Sequence, residues 1–256
     1  MKALVFMQLL ISFVDQSICA KLQIINGRVS VPGAHPYQAS LQRYGAFGYA
    51  HICGGVIISS EWVLTAAHCT IDMTLGYYRV LAGVHNVTGD GQLGAIREIH
   101  QHPDYVDNQA SGYPNDISLL RVEPFTMDTR VQALPLPSGN SNFAGLICTM
   151  TGWGVTESGS PSGGLRETSD VVLTGAQCQV GWTGIDIRDE YHICVGIGDT
   201  GPCQGDSGGP LICRENGSSV LAGLASWAYA SCSEFPFVYA RVSSYLPWIC
   251  NTSGVC

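Results

Sequence analysis

From Ile24 onward, short apolar and β-branched runs alternate with turn-forming residues. The runs are Gly54–Ile58, Trp62–Thr65, Tyr77–Leu81, Ile117–Val122, Leu146–Thr151, Asp170–Leu173, Val220–Trp227 and Phe237–Val242. Their length and spacing predict strands of an all-β barrel or sandwich. Ser243–Cys250 departs from this pattern: serines open it, Pro247 sits near the first turn and Trp248 and Ile249 follow, which predicts a short C-terminal helix. No linker, charge block or low-complexity tract interrupts residues 24–256, and glycines and prolines are spread along them as tight turns between strands require. Functional side chains are therefore expected on loops.

Ahead of Ile24 the pattern changes. Lys2 is followed by the almost wholly apolar stretch Ala3–Val14 and by small residues at Ser17, Cys19 and Ala20. This predicts a secretory signal peptide over 1–19, cut after Cys19 or Ala20, with a short propeptide at 20–23. The apolar run falls short of the ~20 residues of a membrane span, and no later stretch qualifies. Eleven cysteines agree with secretion, because losing Cys19 leaves an even ten that can all pair. That parity also argues against metal ligation.

Charge narrows the partners. The full chain carries a formal net charge of −8, and from Ile24 onward ten arginines face nineteen carboxylates without a lysine, since Lys2 and Lys21 both precede it. Such a surface argues against nucleic acid or anionic membrane as partners. It also offers no target to lysine-directed proteases, which suits a protease-rich fluid such as a gut secretion; drift in composition accounts for it equally well.

Three motifs carry chemistry. Gly205-Asp206-Ser207-Gly208-Gly209-Pro210 places a serine among glycines that let backbone N–H groups turn toward one point, so the amides of Gly205 and Ser207 can hold an oxyanion. A serine hydroxyl needs a base, and Thr65-Ala66-Ala67-His68-Cys69 offers a histidine that titrates near neutral pH. Asn115-Asp116-Ile117-Ser118-Leu119-Leu120 sets a carboxylate ahead of an apolar strand, where burial is costly unless something donates to it; the His68 imidazole is the fitting donor. Each motif alone has an ordinary structural reading, as a glycine turn, a bland histidine or a turn aspartate. Their conjunction does not. His35, His51, His85, His100, His102 and His192 are read as structural, and His100 and His102 lack the companions of a zinc site.

Taken together, these motifs resemble the trypsin/chymotrypsin family of serine proteases, whose chain order His, Asp, Ser is matched across Ile24 to about Ile249. The resemblance implies two six-stranded antiparallel β-barrels, about 24–135 and 136–242, with the catalytic groups between them and a helix at about 243–250. It implies an endopeptidase acting through an acyl-enzyme, a monomer with no cofactor or metal, whose partners are protein or peptide substrates and protein inhibitors. It also implies the bridges Cys53–Cys69, Cys148–Cys213, Cys178–Cys194 and Cys203–Cys232. Cys250 and Cys256 lack family counterparts and are expected to join each other.

The resemblance extends to activation and specificity. Ile24-Ile25-Asn26-Gly27 is similar to the family's mature N-terminus, whose freed ammonium inserts beside the acid before the serine, here Asp206. Gln23 precedes Ile24 where the family has Arg or Lys, so either a protease tolerant of Gln cuts there or trimming follows a cut after Lys21. The pocket is expected from Gly201, Pro202, Gln204, Ser226, Trp227, Ala228 and Phe237. Gly201 stands where trypsin-like members have Asp, which argues against cleavage after Arg or Lys. Ala228 and Phe237 replace glycines of deep pockets, so an elastase-like preference for Ala, Val or Leu is expected; alternatively Phe237 lies flat on Gly201 and a chymotrypsin-like slot survives. Tyr113 and Trp182 shape neighbouring subsites or simply pack in the core.

Val84 replaces the first glutamate of the family's calcium loop, so no calcium site is expected. Asn86, Asn216 and Asn251 begin N-glycosylation sequons. Asn26-Gly27, Asn142-Phe143-Ala144-Gly145, Gly201-Pro202-Cys203 and Val242-Ser243-Ser244-Tyr245-Leu246 resemble the lysine-poor fibrinolytic digestive proteases of earthworms. Two other classes fit the sequence less well. A non-catalytic binding protein on the same scaffold usually lacks a catalytic residue, and an esterase has a nucleophile-elbow motif that is missing here.

Overall fold

The computed structural model describes residues 27–139, 141–156, 158–196, 200–232 and 234–256. The expected signal peptide, propeptide and Ile24 lie outside the described residues. The strands are β1 (Arg28–Val29), β2 (Gln38–Gly45), β3 (Gly48–Ile57), β4 (Trp62–Thr65), β5 (Tyr78–Ala82), β6 (Gln92–Gln101) and β7 (Ser118–Val122), then β8 (Ile147–Gly152), β9 (Arg166–Leu173), β10 (His192–Val195), β11 (Pro210–Glu215), β12 (Ser218–Trp227) and β13 (Phe237–Arg241). Helix α1 (Gly175–Gly181) follows β9, and α2 (Leu246–Ser253) follows a 3-10 turn at Val242–Tyr245.

Strands β2, β3, β4, β7, β6 and β5 close one antiparallel barrel. Strands β8, β9, β10, β13, β12 and β11 form a second ring that closes through the β8–β9 pair, with β1 added against β9. The fold is thus two six-stranded β-barrels with a short C-terminal helix.

Alternation along each strand explains how the barrels stick together. On β4, Val63 points into the first barrel while Leu64 joins a core shared by both; on β7, Leu120 and Leu119 divide the same way. That shared core adds Ile212, Leu221, Leu224 and Ala240 from the second barrel and Ile249 from α2. Each leucine or isoleucine buried there contributes about 1.5–3 kcal/mol.

The apolar runs read from sequence fall on β3, β4, β5, β7, β8, β9, β12 and β13, but the pattern misses β1, β2, β6, β10 and β11. On β6, Leu93, Ala95 and Arg97 face solvent while Gly94 and Ile96 face inward, so no apolar run exists to be seen. The predicted helix begins later than expected: Val242–Tyr245 is a 3-10 turn, and the α-helix runs on to Ser253. Pro247 sits in its first turn, where a missing N–H costs nothing.

Candidate active site

His68 lies in a 3-10 turn, Ala67–Thr70, that leaves the end of β4. The Cys53–Cys69 disulfide ties this turn to β3, and Gln101 Nε2 and Thr70 Oγ1 both donate to Ala67 O at 2.9 Å. Asp116 precedes β7 and is buried. Its Oδ1 accepts the His68 backbone N–H at 2.8 Å, and its Oδ2 accepts from His68 Nδ1 at 2.8 Å and from the Ser226 hydroxyl. An ionised carboxylate can only accept, so Nδ1 carries the proton and Nε2 keeps its lone pair for another group.

Electrostatics agree with the geometry. Burial raises the Asp116 carboxyl, but the His68 charge, its hydrogen bonds and the Ser226 hydroxyl more than offset this and hold the group below its ordinary range. Burial depresses the His68 imidazolium, and the Asp116 charge and hydrogen bond overcome it, so the net direction is upward. Cys53 and Cys69 stand close to His68, but their thiols are joined to each other and so are not metal ligands.

Ser207 arrives from the second barrel. Its carbonyl accepts from Gly54 N at 2.7 Å, and Gly208 N donates to Ala225 O at 2.7 Å. A Cβ on Gly54 would fall 2.8 Å from Gly209, and one on Gly208 would strike Thr65 and Ala66. These glycines let the Ser207 loop press onto the chain that leads into His68. Within the loop, Asp206 N donates to Cys203 O and Gly209 N to Asp206 O. With Gly208 N also used, the N–H groups of Gly205 and Ser207 have no acceptor among the described residues. Gly205 itself, at φ +96°, is held by His51, whose Nε2 donates to Gly205 O at 2.8 Å while Nδ1 accepts from Ser40 Oγ at 2.8 Å.

Ser207 opens onto a cavity of about 150 Å3 lined by Pro202, Gln204, Ser226, Trp227, Ala228 and Tyr229 among others. Gly201 and Phe237 do not line it. The Phe237 ring is buried flat against Gly201, so close that a Cβ there would fall 2.2 Å from the ring. Trp227 carries an aromatic row beside the cavity, with Tyr113 at 6.1 Å and Trp182 at 4.7 Å between ring centroids. Trp182 is buried and donates to Pro236 O.

Asp206 points away from the cavity. It is buried, with Oδ1 accepting Gly154 N at 2.7 Å and Oδ2 accepting Cys203 N at 2.9 Å. Burial pushes its carboxyl up to about 6, against the two amides that pull it down. Ile24, its expected partner, lies outside the described residues. Five disulfides are present: Cys53–Cys69, Cys148–Cys213, Cys178–Cys194, Cys203–Cys232 and Cys250–Cys256.

His51 and Ser226 are the contributors that sequence reading missed or misjudged. His51 looks like any strand histidine, and Ser226 reads in the sequence only as pocket wall. Neither has a local signal, since their partners lie 154 and 110 residues away.

Two closed barrels, a buried carboxylate–imidazole pair and a glycine-cradled serine define a serine endopeptidase of the chymotrypsin-like fold. The profile of the Trypsin family matches residues 24–249, and the chain belongs to that family. It is 37% identical over 245 residues to "Fibrinolytic enzyme, isozyme C" of Lumbricus rubellus, covering 90% of this chain and 100% of the relative. It is 36% identical over 239 residues to human granzyme M, covering 91% of this chain and 90% of the relative.

Proposed function

We propose that the chain is a secreted endopeptidase made as a zymogen, with Ser207 as nucleophile, His68 as general base and Asp116 as the carboxylate that orients it. The carrying observation is the Asp116–His68 pair, which fixes the tautomer with Nε2 unprotonated. Ser207 Oγ attacks the scissile carbonyl carbon and its proton passes to Nε2. The oxyanion is held by the two amides left without acceptors, Gly205 and Ser207, each commonly worth roughly 2.7–4 kcal/mol. Collapse expels the amine, which takes the proton from His68; water then repeats the sequence in reverse and frees the acid. Labelling of Ser207 by a serine-directed phosphonate after activation tests this; an activated chain that hydrolyses peptides but never labels there would sink it.

The zymogen reading rests on Asp206. A buried carboxylate held, among the described residues, only by two amides calls for a cation, and breaking such a pair typically costs roughly 3–5 kcal/mol. The ammonium of Ile24, released by proteolysis, is the proposed cation. Gly152 and Gly154 favour this reading, because a Cβ on either would overlap the Asp206 carboxyl and deny it that seat.

For specificity, no carboxylate lines the cavity among the described residues, so Arg and Lys have no counter-charge. The Ala228 methyl on the wall favours Ala, Val or Leu before the scissile bond, whereas the Phe237 ring, packed against Gly201 and off the lining, favours the second reading of a chymotrypsin-like slot. A panel of peptide anilides decides: faster cleavage after Phe or Tyr than after all three aliphatics overturns the aliphatic preference. The five disulfides and the exposed Asn86, Asn216 and Asn251 favour a glycosylated, extracellular monomer open to protein inhibitors. The Lumbricus relative makes fibrin a substrate to assay, in a digestive or fibrinolytic setting.

A further inference from the structure

The segment between β6 and β7 (residues 102–117) belongs to the first barrel and carries Asp116, yet part of it is held by the second. Three of its residues have left-handed backbone: Gly112 at φ +73°, Tyr113 at +53° and Asn115 at +61°. Residues with a Cβ rarely adopt that conformation, so the segment keeps it only where its surroundings impose it. Two donors from the second barrel converge on the Gly112 carbonyl, Trp227 Nε1 at 3.0 Å and His192 Nε2 at 2.8 Å. Their rings stand at 89° to each other, so the oxygen is fixed from two directions. Asp186 N adds a bond to Ala110 O at 3.2 Å. Gly112 allows this approach, because a Cβ there would fall 2.8 Å from Asp186 O and 2.9 Å from the His192 ring.

His192 is a fixed donor. It is buried and opens β10, which pairs with β13 along its length, and it lies two residues from the Cys178–Cys194 disulfide. Its Nδ1 accepts from Arg188 N at 3.1 Å. An amide N–H can only donate, so Nδ1 carries no proton and Nε2 carries the one offered to Gly112. Burial holds the imidazole below the ordinary histidine pKa, which keeps this neutral tautomer in place near neutral pH. The proton transfers of peptide hydrolysis make no use of it.

What this clamp orients is Tyr113. That residue follows Gly112 directly and is half-buried, and its ring stands 6.1 Å from Trp227, which lines the cavity beside Ser207. Asp116 has other partners, the two His68 N–H groups and the Ser226 hydroxyl, so the clamp does not bear on the carboxylate. We propose that His192 is a positioning residue for substrate recognition: by holding the Gly112 carbonyl it keeps Tyr113 beside Trp227, and so governs affinity for the substrate residues upstream of the one in the cavity. The proposal rests on the protease reading above.

The test uses two anilides of the activated enzyme, both ending in the residue that the panel above cleaves fastest. One is acetylated directly on that residue, and the other carries Ala-Ala-Leu ahead of it. His192→Asn keeps an acceptor for Arg188 N but is too short to reach Gly112. It should raise KM for the longer anilide about tenfold, the effect of one lost buried hydrogen bond, at unchanged kcat. Both constants for the short anilide should stay as in wild type. His192→Gln, whose amide reaches as far as Nε2, should restore most of the loss. In a Tyr113→Ala background the Asn substitution should add nothing, because the two residues act in series. An unmoved KM for the longer anilide, a loss shared equally by both anilides, or additivity with Tyr113→Ala overturns the positioning role. Fluorescence anisotropy of the labelled product acid of the longer anilide, on the Ser207→Ala chain, makes the same comparison without turnover. An unchanged Kd on adding His192→Asn there overturns the inference even if the protease reading fails, and a Kd about tenfold weaker supports it. Should His192→Asn not fold, Gly112→Ala separates the same two groups and the same outcomes decide.

Discussion

Asp116 shows how much one side chain can control. It holds His68 by two hydrogen bonds, one from the backbone N–H and one from imidazole Nδ1, and raises the imidazole pKa against the opposing effect of burial. His68 must be neutral to act as base, so kcat/KM should fall as pH drops through a value above the ordinary histidine pKa of about 6.5. Asp116→Asn should lower kcat about 10⁴-fold, as comparable triads do, and move that acid limb downward; a pH–rate profile reads both. An unmoved limb would mean that the carboxylate does not set the titration. Phe237 is a second such residue. Its ring is buried off the cavity lining, so Phe237→Gly should cost about 3–5 kcal/mol in a denaturant titration, while Ala228→Gly on the wall should raise the ratio of cleavage after Phe to cleavage after Ala, measured with paired anilides. The motifs around Ser207, His68 and Asp116 were legible because their chemistry is local. Ser226 and His51 were not, because each acts on a partner from the other barrel.

Strands and loops decide where those side chains meet. Gly54 touches Gly209 backbone to backbone, and Gly208, at φ +76°, leaves no room beside Thr65. Gly208→Ala should therefore displace the Ser207 loop from His68 and lower kcat about 100-fold or more, with KM for a short anilide changing far less. Removing the Cys53–Cys69 bridge, which spans 16 residues, should cost about 3 kcal/mol of stability by the loop-entropy estimate and loosen the His68 turn. The double Cys→Ala variant should show both a lower thermal midpoint and a lower kcat. Strands buried on both faces, such as β4 and β7, read plainly as apolar runs. β2 and β6 escaped notice because their outer faces carry Gln, Arg, Tyr and His. α1 was missed too, although a capping box opens it, in which Thr174 accepts from Gln177 N and Gln177 returns the bond.

The whole molecule is sensitive to pH through Asp206. Without a cationic partner its folded pKa, about 6, lies above the ordinary aspartate value of about 3.9. The folded state then binds more protons than the unfolded one between those values, so the proposed precursor should lose stability as pH rises through about 4 to 6. The Ile24 ammonium should be raised by the same pairing, and its contribution is full below its ordinary value of about 7.7–8.0 and lost as pH climbs through the higher folded value. The gap in thermal midpoint between activated and precursor forms should accordingly open between pH ~4 and ~6 and close again in alkali. Calorimetry of both forms across that range checks the sign. A gap that does not vary with pH would remove Asp206 from the activation step.

Residue order alone settled which chemical groups this chain possesses: a serine among glycines, a histidine beside a cysteine, a carboxylate before an apolar strand, and an even set of cysteines after Cys19. Those are short-range facts, written within a few residues of one another. Folding supplied the rest. The Asp116 oxygens found the Ser226 hydroxyl across 110 residues, Gly205 found His51 across 154, and Phe237 came to rest on Gly201. Such contacts depend on how two closed sheets press together, and side chains that make them look ordinary in their own strands.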